Sequence, residues 1–223
     1  MNLQQYPSAP YVVPFLVFLL FLGIGPHLPI AEQIEHPLRF AILSAVLWVF
    51  SRQVISFRTT RAISSILLGV AVFILWVGPD LLISGYREHW LFQNPLTGTL
   101  KSSLSDEARS NPWILSIRSL RAVVLVPIIE ELFWRAWLMR WIISSNFRKV
   151  PLGTYSAFSF WVTALLFASE HGPYWEVGLL TGVIYNWWMI RTRSLGDLIL
   201  THAVTNACLC AFVLATGRWE YWL

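Results

Sequence analysis

Three short stretches of this chain carry residues whose types and spacing suit chemistry. The first is Pro127-Ile128-Ile129-Glu130-Glu131-Leu132-Phe133-Trp134-Arg135. Glu131 and Arg135 stand four apart, so on a helix they share a face, acid before base, and neutralise one another. Glu130 is turned about 100° away and is the carboxylate left over for chemistry. Pro127 removes one backbone N–H and is expected to kink the helix one turn earlier, opening space beside Glu130. The alternative is an ion-pair cluster at lipid headgroups. Aliphatic and aromatic residues on both sides of the acids weigh against it.

The second stretch is Phe167-Ala168-Ser169-Glu170-His171, closed by Gly172-Pro173. Phe167 and His171 share a helical face, although a histidine before Gly-Pro is by itself more often a helix-terminal residue. Glu170 reads as an acid facing solvent or headgroups. The third is His202-Ala203-Val204-Thr205-Asn206, whose spacing puts imidazole and carboxamide on one face. Polar pairs of this kind also serve simply to join transmembrane helices. Brought together, the three stretches make one polar pocket.

A carboxylate free of its ion pair in a low-dielectric surrounding is a competent general base near neutral pH. It takes a proton from water that one histidine orients, while the other histidine and Asn206 donate to an oxyanion. This set suits peptide-bond hydrolysis without a covalent enzyme intermediate. No serine lies in a G-x-S-x-G elbow, and neither cysteine has a histidine assured on its own face. Zinc is the rival use of two histidines and a glutamate. The H-E-x-x-H signature is absent, so a metal has no support from the sequence.

The elements that hold these stretches must lie in a membrane. Of 223 residues, 56% are hydrophobic and 13% charged, against ~25% charged in an average soluble domain. Aromatics reach 15%, with 13 Trp, and the mean hydropathy is +0.58. These values exclude a soluble enzyme, a disordered chain and a disulfide-stapled secreted scaffold. Cys208 and Cys210 point in nearly opposite directions on a helix and are not expected to pair. The net charge of +4 is the ordinary signature of cytoplasmic loops in a polytopic membrane protein, and the absence of a basic cluster longer than Arg148-Lys149 argues against nucleic acid.

Seven apolar runs are expected to form an all-α, polytopic fold with a polar intramembrane cavity. They are Tyr11 to Ile30, Leu38 to about Ile55, Ala62 to Ile83, Trp113 to about Ile143, Thr154 to Ser169, Tyr174 to Ile190 and Leu195 to Ala215. The first lacks the basic flank and small-residue site of a cleaved signal peptide. The long polar stretch 86–111 lies between the third and fourth runs, and Asn111-Pro112 reads as an N-cap followed by Pro at the first helical position. The whole of 1–223 is expected to be one membrane domain, with N-terminal helices over 11–85 and the motif-bearing half over 113–216. Gly178-x-x-x-Gly182 reads as close helix packing.

Arg52, Arg58 and Arg61, then Arg140, Arg148 and Lys149, then Arg191 and Arg193 fall on one side of the membrane if the N-terminus is cytoplasmic. Glu32, Glu35, Glu170 and Glu176 fall in connections on the other side. Arg109, Arg118 and Arg121, assigned to the long loop, run against this pattern. A multi-pass protein of a bacterial inner membrane, N-terminus inside, is the resulting expectation.

The ordered set Glu-Glu-x-x-x-Arg, Phe-x-x-x-His and His-x-x-x-Asn resembles the CAAX prenyl protease 2 family and its bacterial Abi/CPBP relatives, which are all-helical intramembrane endopeptidases. The resemblance covers about Arg118 to Leu209. It implies Glu130 as the water-activating base with Glu131, Arg135 and Phe167 in support. It also implies His171 as the partner on the water, His202 and Asn206 as the oxyanion pair, and a membrane-anchored protein or peptide as substrate; the family has been called metalloprotease, but the glutamate-dependent mechanism suits these residues better than a zinc-dependent one. Phe133-Trp134-Arg135-Ala136-Trp137 and Asn186-Trp187-Trp188 resemble the branch found with exosortase protein-sorting systems, which implies a sorting tail as substrate. Glu170 departs from the family, where small or apolar residues precede the motif histidine. Counting along the spans also sets His171 nearer the outer face and His202 nearer the inner one. The two meet only if the fifth helix ends at Gly172-Pro173 within membrane depth.

Overall fold

The computed structural model describes residues 5–27 and 29–222. Each apolar run holds one helix: α1 Ala9–Ile24, α2 Glu32–Ser51, α3 Ala62–Leu82, α4 Pro112–Trp141, α5 Ala157–Ser169, α6 Trp175–Thr192 and α7 Leu195–Thr216. The architecture is all-α, and the extended backbone among the described residues amounts to one isolated bridge between Asn94 and Gly98. Four helices, α2, α3, α4 and α7, are long and apolar enough to cross a bilayer. The chain is an integral membrane protein. The end of the first expected run, beyond His27, lies partly outside the described residues.

Length separates α5 from the four long helices. Its 13 residues span about 20 Å, well short of the ~30 Å hydrocarbon core. It stops before Glu170 and His171, and a single turn, Gly172–Tyr174, leads directly into α6. Gly172 has a φ of 52°, and a Cβ on it would lie 2.9 Å from the Thr97 carbonyl. The expected break at Gly172-Pro173 therefore exists, and residues of the long loop pack directly over it.

α3 and α7 pack against each other most closely, and small residues set their distance. A Cβ on Gly69 would meet the Thr201 carbonyl at 2.6 Å, and one on Gly196 the Arg58 carbonyl at 2.5 Å. At the start of this seam Ser194 caps α7 through the Asp197 amide. Asp197, fully buried, turns its carboxylate across to α3, where it accepts from the Thr60 and Arg61 amides and the Thr60 and Ser65 hydroxyls. A helix start leaves several N–H groups without partners, and here another helix supplies the acceptor.

Tryptophan N–H groups fasten further pairs. Trp76 donates to Thr181 Oγ1 at 2.9 Å and Trp188 to Ser65 Oγ at 3.2 Å, both joining α3 and α6. Each gives its ring to the apolar interior while its N–H finds a buried acceptor. Gly178-x-x-x-Gly182 packs as expected: a Cβ on Gly182 would meet the Ala164 backbone of α5 at 3.1 Å.

Three expectations change. The second helix begins at Glu32, so Glu35 lies inside it and is buried instead of facing solvent in a connection. It survives there because Arg39, one turn on, pairs with it. Glu176 likewise opens α6 and pairs with Arg87 at 2.6 Å. Arg118 and Arg121 belong to α4 and are buried, not loop residues.

The stretch 86–111 is also more ordered than its polarity suggests. It contains a turn at Tyr86–Glu88 and a helical turn at Asp106–Arg109. Arg87 anchors it, meeting Asp80 at 3.0 Å and Glu176 at 2.6 Å and lying 4.4 Å from the Tyr174 ring. The Tyr221 phenol, which burial pushes above its ordinary range, donates to the other Asp80 oxygen. Trp175 donates to the Leu91 carbonyl, tying the same loop to the start of α6.

Candidate active site

The site is built on α4, which is not a uniform α-helix. Five-residue π segments, Arg121–Leu125 and Trp134–Leu138, flank the α turn Val126–Phe133 that carries both glutamates. Pro127 explains the first. The Val126 amide bonds back to the Arg121 carbonyl, and Pro127 has no amide to offer the next carbonyl, that of Ala122. Asn206 of α7 takes its place, donating from Nδ2 to the Ala122 oxygen at 2.8 Å. The expected irregularity at Pro127 thus becomes a π turn whose freed carbonyl fixes α7. Such π turns inside helices recur at functional sites.

Glu131 and Arg135 form the expected pair, both fully buried, with Arg135 Nη1 3.1 Å from each Glu131 oxygen. The pair extends in two directions. His202 Nδ1 lies 2.8 Å from Glu131 Oε1. Arg135 Nε donates to Asn186 Oδ1 at 2.9 Å, and Asn186 Nδ2 donates to the Phe160 carbonyl at 2.8 Å. The Phe167 ring lies under the guanidinium, 4.4 Å from it, and the His171 ring packs on Phe167 at 4.6 Å. One continuous set of contacts, His171–Phe167–Arg135–Glu131–His202, therefore ties α4 and α7 to the end of α5. The apparent separation of the two histidines disappears because α5 is short.

His171 points its Nδ1 at the Phe167 carbonyl, 2.7 Å away. That contact calls for a proton on Nδ1 and leaves Nε2 as an acceptor. Trp76 covers the ring on one side at 5.4 Å. Gly178 lies on another, so close that a Cβ there would meet three atoms of His171 at 3.1 Å. His202, in contact with the Glu131 carboxylate through Nδ1, similarly keeps Nε2 free. The Tyr185 ring packs on His202 at 5.2 Å, and the Tyr185 hydroxyl donates to Thr205 Oγ1 at 2.8 Å.

Glu130 is buried like its neighbour but differs from it in its partners. It makes no ion pair, and its Oε2 has no hydrogen-bond partner. Glu170, His202, Glu131 and Arg135 all act on it electrostatically. Trp134, one turn beyond Glu130, donates its Nε1–H to Glu170 Oε1 at 3.0 Å. Glu170 is thus an exposed residue held by one carboxylate oxygen at the edge of the same site. Among the described residues no three His, Cys, Asp or Glu side chains are grouped to hold a metal ion.

The structure brings Glu130, Glu131, Arg135, Phe167, His171 and His202 into one neighbourhood, with Asn206 attached to it through Ala122. Reading the sequence missed Asn186, Trp134, Trp76 and Asp197, and read Gly178 as helix packing without its contact to His171. Ser194-x-x-Asp197 has the spacing of a helix-start signature, but nothing in that spacing foretells that the carboxylate caps a different helix. Asn186, Trp134 and Trp76 act through contacts between distant elements and leave no local spacing signal.

A family model, that of the type II CAAX prenyl endopeptidases described as Rce1-like, matches residues 112–208, somewhat under half of the chain. This segment is similar to the Rce1-like family. It runs from the start of α4 into α7 and contains Glu130, Glu131, Arg135, Phe167, His171, His202 and Asn206. Comparison with curated proteins and with solved structures gives no match.

Proposed function

We propose that this protein is a glutamate-dependent intramembrane endopeptidase that hydrolyses a peptide bond in a membrane-anchored protein or peptide. The observation that carries the reading is the division of labour between adjacent carboxylates. Glu131 is saturated by Arg135 and His202, whereas Glu130 has a buried oxygen with no partner beside them. An unpaired buried polar atom is costly to maintain and needs a reason. The similarity of the matched segment to an endopeptidase family supports the reaction class.

In this reading a water enters past the exposed Glu170 and sits between Glu130 and His171. Glu130 takes its proton as the oxygen attacks the scissile carbonyl, and His171, its Nδ1 committed to Phe167, accepts from the same water through Nε2. His202 and the second N–H of Asn206 face the oxyanion, with His202 supported as a donor by the Glu131 carboxylate. Glu130 then returns the proton to the leaving amine as the C–N bond breaks. No metal takes part. We place the N-terminus on the cytoplasmic side of a bacterial inner membrane, because the arginines of the connections after α2, α4 and α6 then gather on that side.

The test is cleavage of a membrane-anchored peptide by purified protein and by the Glu130→Gln variant. Loss of a general base lowers the rate by about 10²–10⁴-fold. Full activity in a folded Glu130→Gln protein would overturn the proposal. Proportional losses of stability across Glu130→Gln, His171→Ala and His202→Ala, without any proteolysis, would instead assign these residues to holding helices together.

A further inference from the structure

Outside the catalytic network, polar groups at the far end of α3 surround a cavity of about 280 Å³. Its wall comes from the last turn of α3, the start of the loop 86–111, the turn after α5 and the C-terminal turn Trp219–Tyr221. Two wall residues carry buried donors with nothing to donate to. Arg87 is 5% exposed and Tyr174 2%. Arg87 donates from Nε to Asp80 and from Nη1 to the Pro173 carbonyl beside Glu176, while its Nη2 has no partner. The Tyr174 hydroxyl has none either. Leaving a buried donor unsatisfied is costly, and two on one wall call for an acceptor oxygen.

Charge says what bears that oxygen. Arg87 faces two carboxylates, Asp80 and Glu176, and Arg218 pairs with Glu220 at 2.8 Å. Glu88, exposed on the same wall, has no ion pair among the described residues. Four carboxylates against two guanidinium groups leave an excess of negative charge, which repels a simple anion. The complement is one molecule that carries an acceptor oxygen and a cation together. Place decides its source. Asp80 stands in the last turn of α3, a helix long and apolar enough to cross the bilayer, so the cavity lies at the membrane boundary. Ile83 lines the cavity, and it continues an exposed apolar strip with Leu81 and Leu82 that suits acyl chains. A phosphoethanolamine headgroup offers phosphate oxygens to the two donors and an ammonium with three N–H groups to a carboxylate.

We propose that this cavity holds the phosphoethanolamine headgroup of a membrane lipid, with the phosphate on Arg87 Nη2 and the Tyr174 hydroxyl and the ammonium on Glu88, and that its occupancy fixes the turn carrying His171. The Trp76 ring packs on both sides of the connection, 5.7 Å from the Tyr174 ring and 5.4 Å from that of His171. The Tyr174 amide donates to the His171 carbonyl at 3.0 Å, and Arg87 holds the Pro173 carbonyl of the same turn at 2.8 Å. The consequence for turnover rests on the peptidase reading above, whereas the binding does not.

The experiment uses full-length protein stripped of lipid in detergent. Native mass spectrometry follows the binding of dioleoyl phosphatidylethanolamine, phosphatidylcholine and phosphatidylglycerol. The ethanolamine lipid is expected to bind about tenfold more tightly than the choline lipid, which has no N–H to donate, and than the glycerol lipid, which has no cation. At about a hundred times its Kd it should raise the melting temperature by about 5–10 °C. Tyr174→Phe should weaken its binding about tenfold, and Glu88→Gln should remove the preference for ethanolamine over choline. Because the Tyr174 hydroxyl has no protein partner, lipid-free Tyr174→Phe should melt with wild type. Amide hydrogen exchange over 171–174 should slow when the lipid binds, and turnover of a membrane-anchored peptide should rise.

Equal binding of the three lipids would overturn the inference, as would tightest binding of phosphatidylglycerol, since the cavity would then be an anion site. Free phosphoethanolamine that binds as tightly as the lipid would overturn the membrane source. A substrate peptide that displaces the lipid and itself loses binding on Tyr174→Phe would make the cavity part of the substrate path and overturn it too. Selective binding with unchanged exchange over 171–174 would overturn the link to His171. Selective binding and slowed exchange in a protein that cleaves no membrane-anchored peptide would count against the peptidase reading alone.

Discussion

Two neighbouring, nearly isosteric substitutions should have opposite consequences. Glu131→Gln removes the charge opposite Arg135 at a fully buried position where the carboxylate meets Arg135 Nη1 twice and His202 once. Breaking a buried pair by neutralising one partner costs about 3–5 kcal/mol. For a chain of this size each kcal/mol shifts the melting temperature by about 2–4 °C. The expected fall is therefore about 6–20 °C. Glu130→Gln breaks no ion pair and no hydrogen bond at Oε2, so its melting temperature should stay within about 2 °C of wild type, the usual range of a change that removes no named interaction. The assay is thermal unfolding in one detergent, followed by tryptophan fluorescence. The double variant Glu131→Gln/Arg135→Met removes both charges, and its loss should be smaller than the sum of the two single losses. A Glu130→Gln protein as unstable as Glu131→Gln would refute the separation of a structural from a chemical carboxylate.

Four further outcomes follow from particular contacts. Asn206→Ala strands the Ala122 carbonyl released by Pro127; it should lower stability by about 1–3 kcal/mol as well as activity, and Asn206→Asp should not restore either, because it offers no donor. Gly178→Ala presses a methyl against the His171 ring at 3.1 Å, so turnover of a membrane-anchored peptide should fall more than stability does. Asp197→Ala removes the acceptor for two backbone amides and two hydroxyls at the start of α3; the melting temperature should drop while the KM of the folded fraction is unchanged. Chelator-washed protein should retain its peptidase activity, and metal analysis of that active sample should find much less than one equivalent of zinc.

The seven helical segments were legible in the sequence because long apolar runs admit few alternatives to a helix. The Glu131–Arg135 pair was legible because a four-residue spacing fixes both side chains on one face before any packing occurs. Glu35 and Arg39 obey the same rule, yet their burial was not foreseen. Charges flanking an apolar run look like the run's end, and only the facing arginines of α4 show otherwise. The polarity of 86–111 likewise concealed an ordered loop, since its anchors, Asp80 and Glu176, lie in different helices.

By itself the sequence determined that this is a helical membrane protein and that Glu130 is the carboxylate without a local partner. Both follow from composition and from the pitch of a helix, which are properties of neighbours along the chain. The tertiary structure decided how short α5 is in space and that His171 reaches His202 through Phe167, Arg135 and Glu131. It also set Asn206 on the carbonyl freed by Pro127 and joined Arg87 to Asp80 and Glu176. These are relations between side chains far apart in the chain. Packing alone selects them, because a buried charge or carbonyl accepts whichever partner the fold delivers.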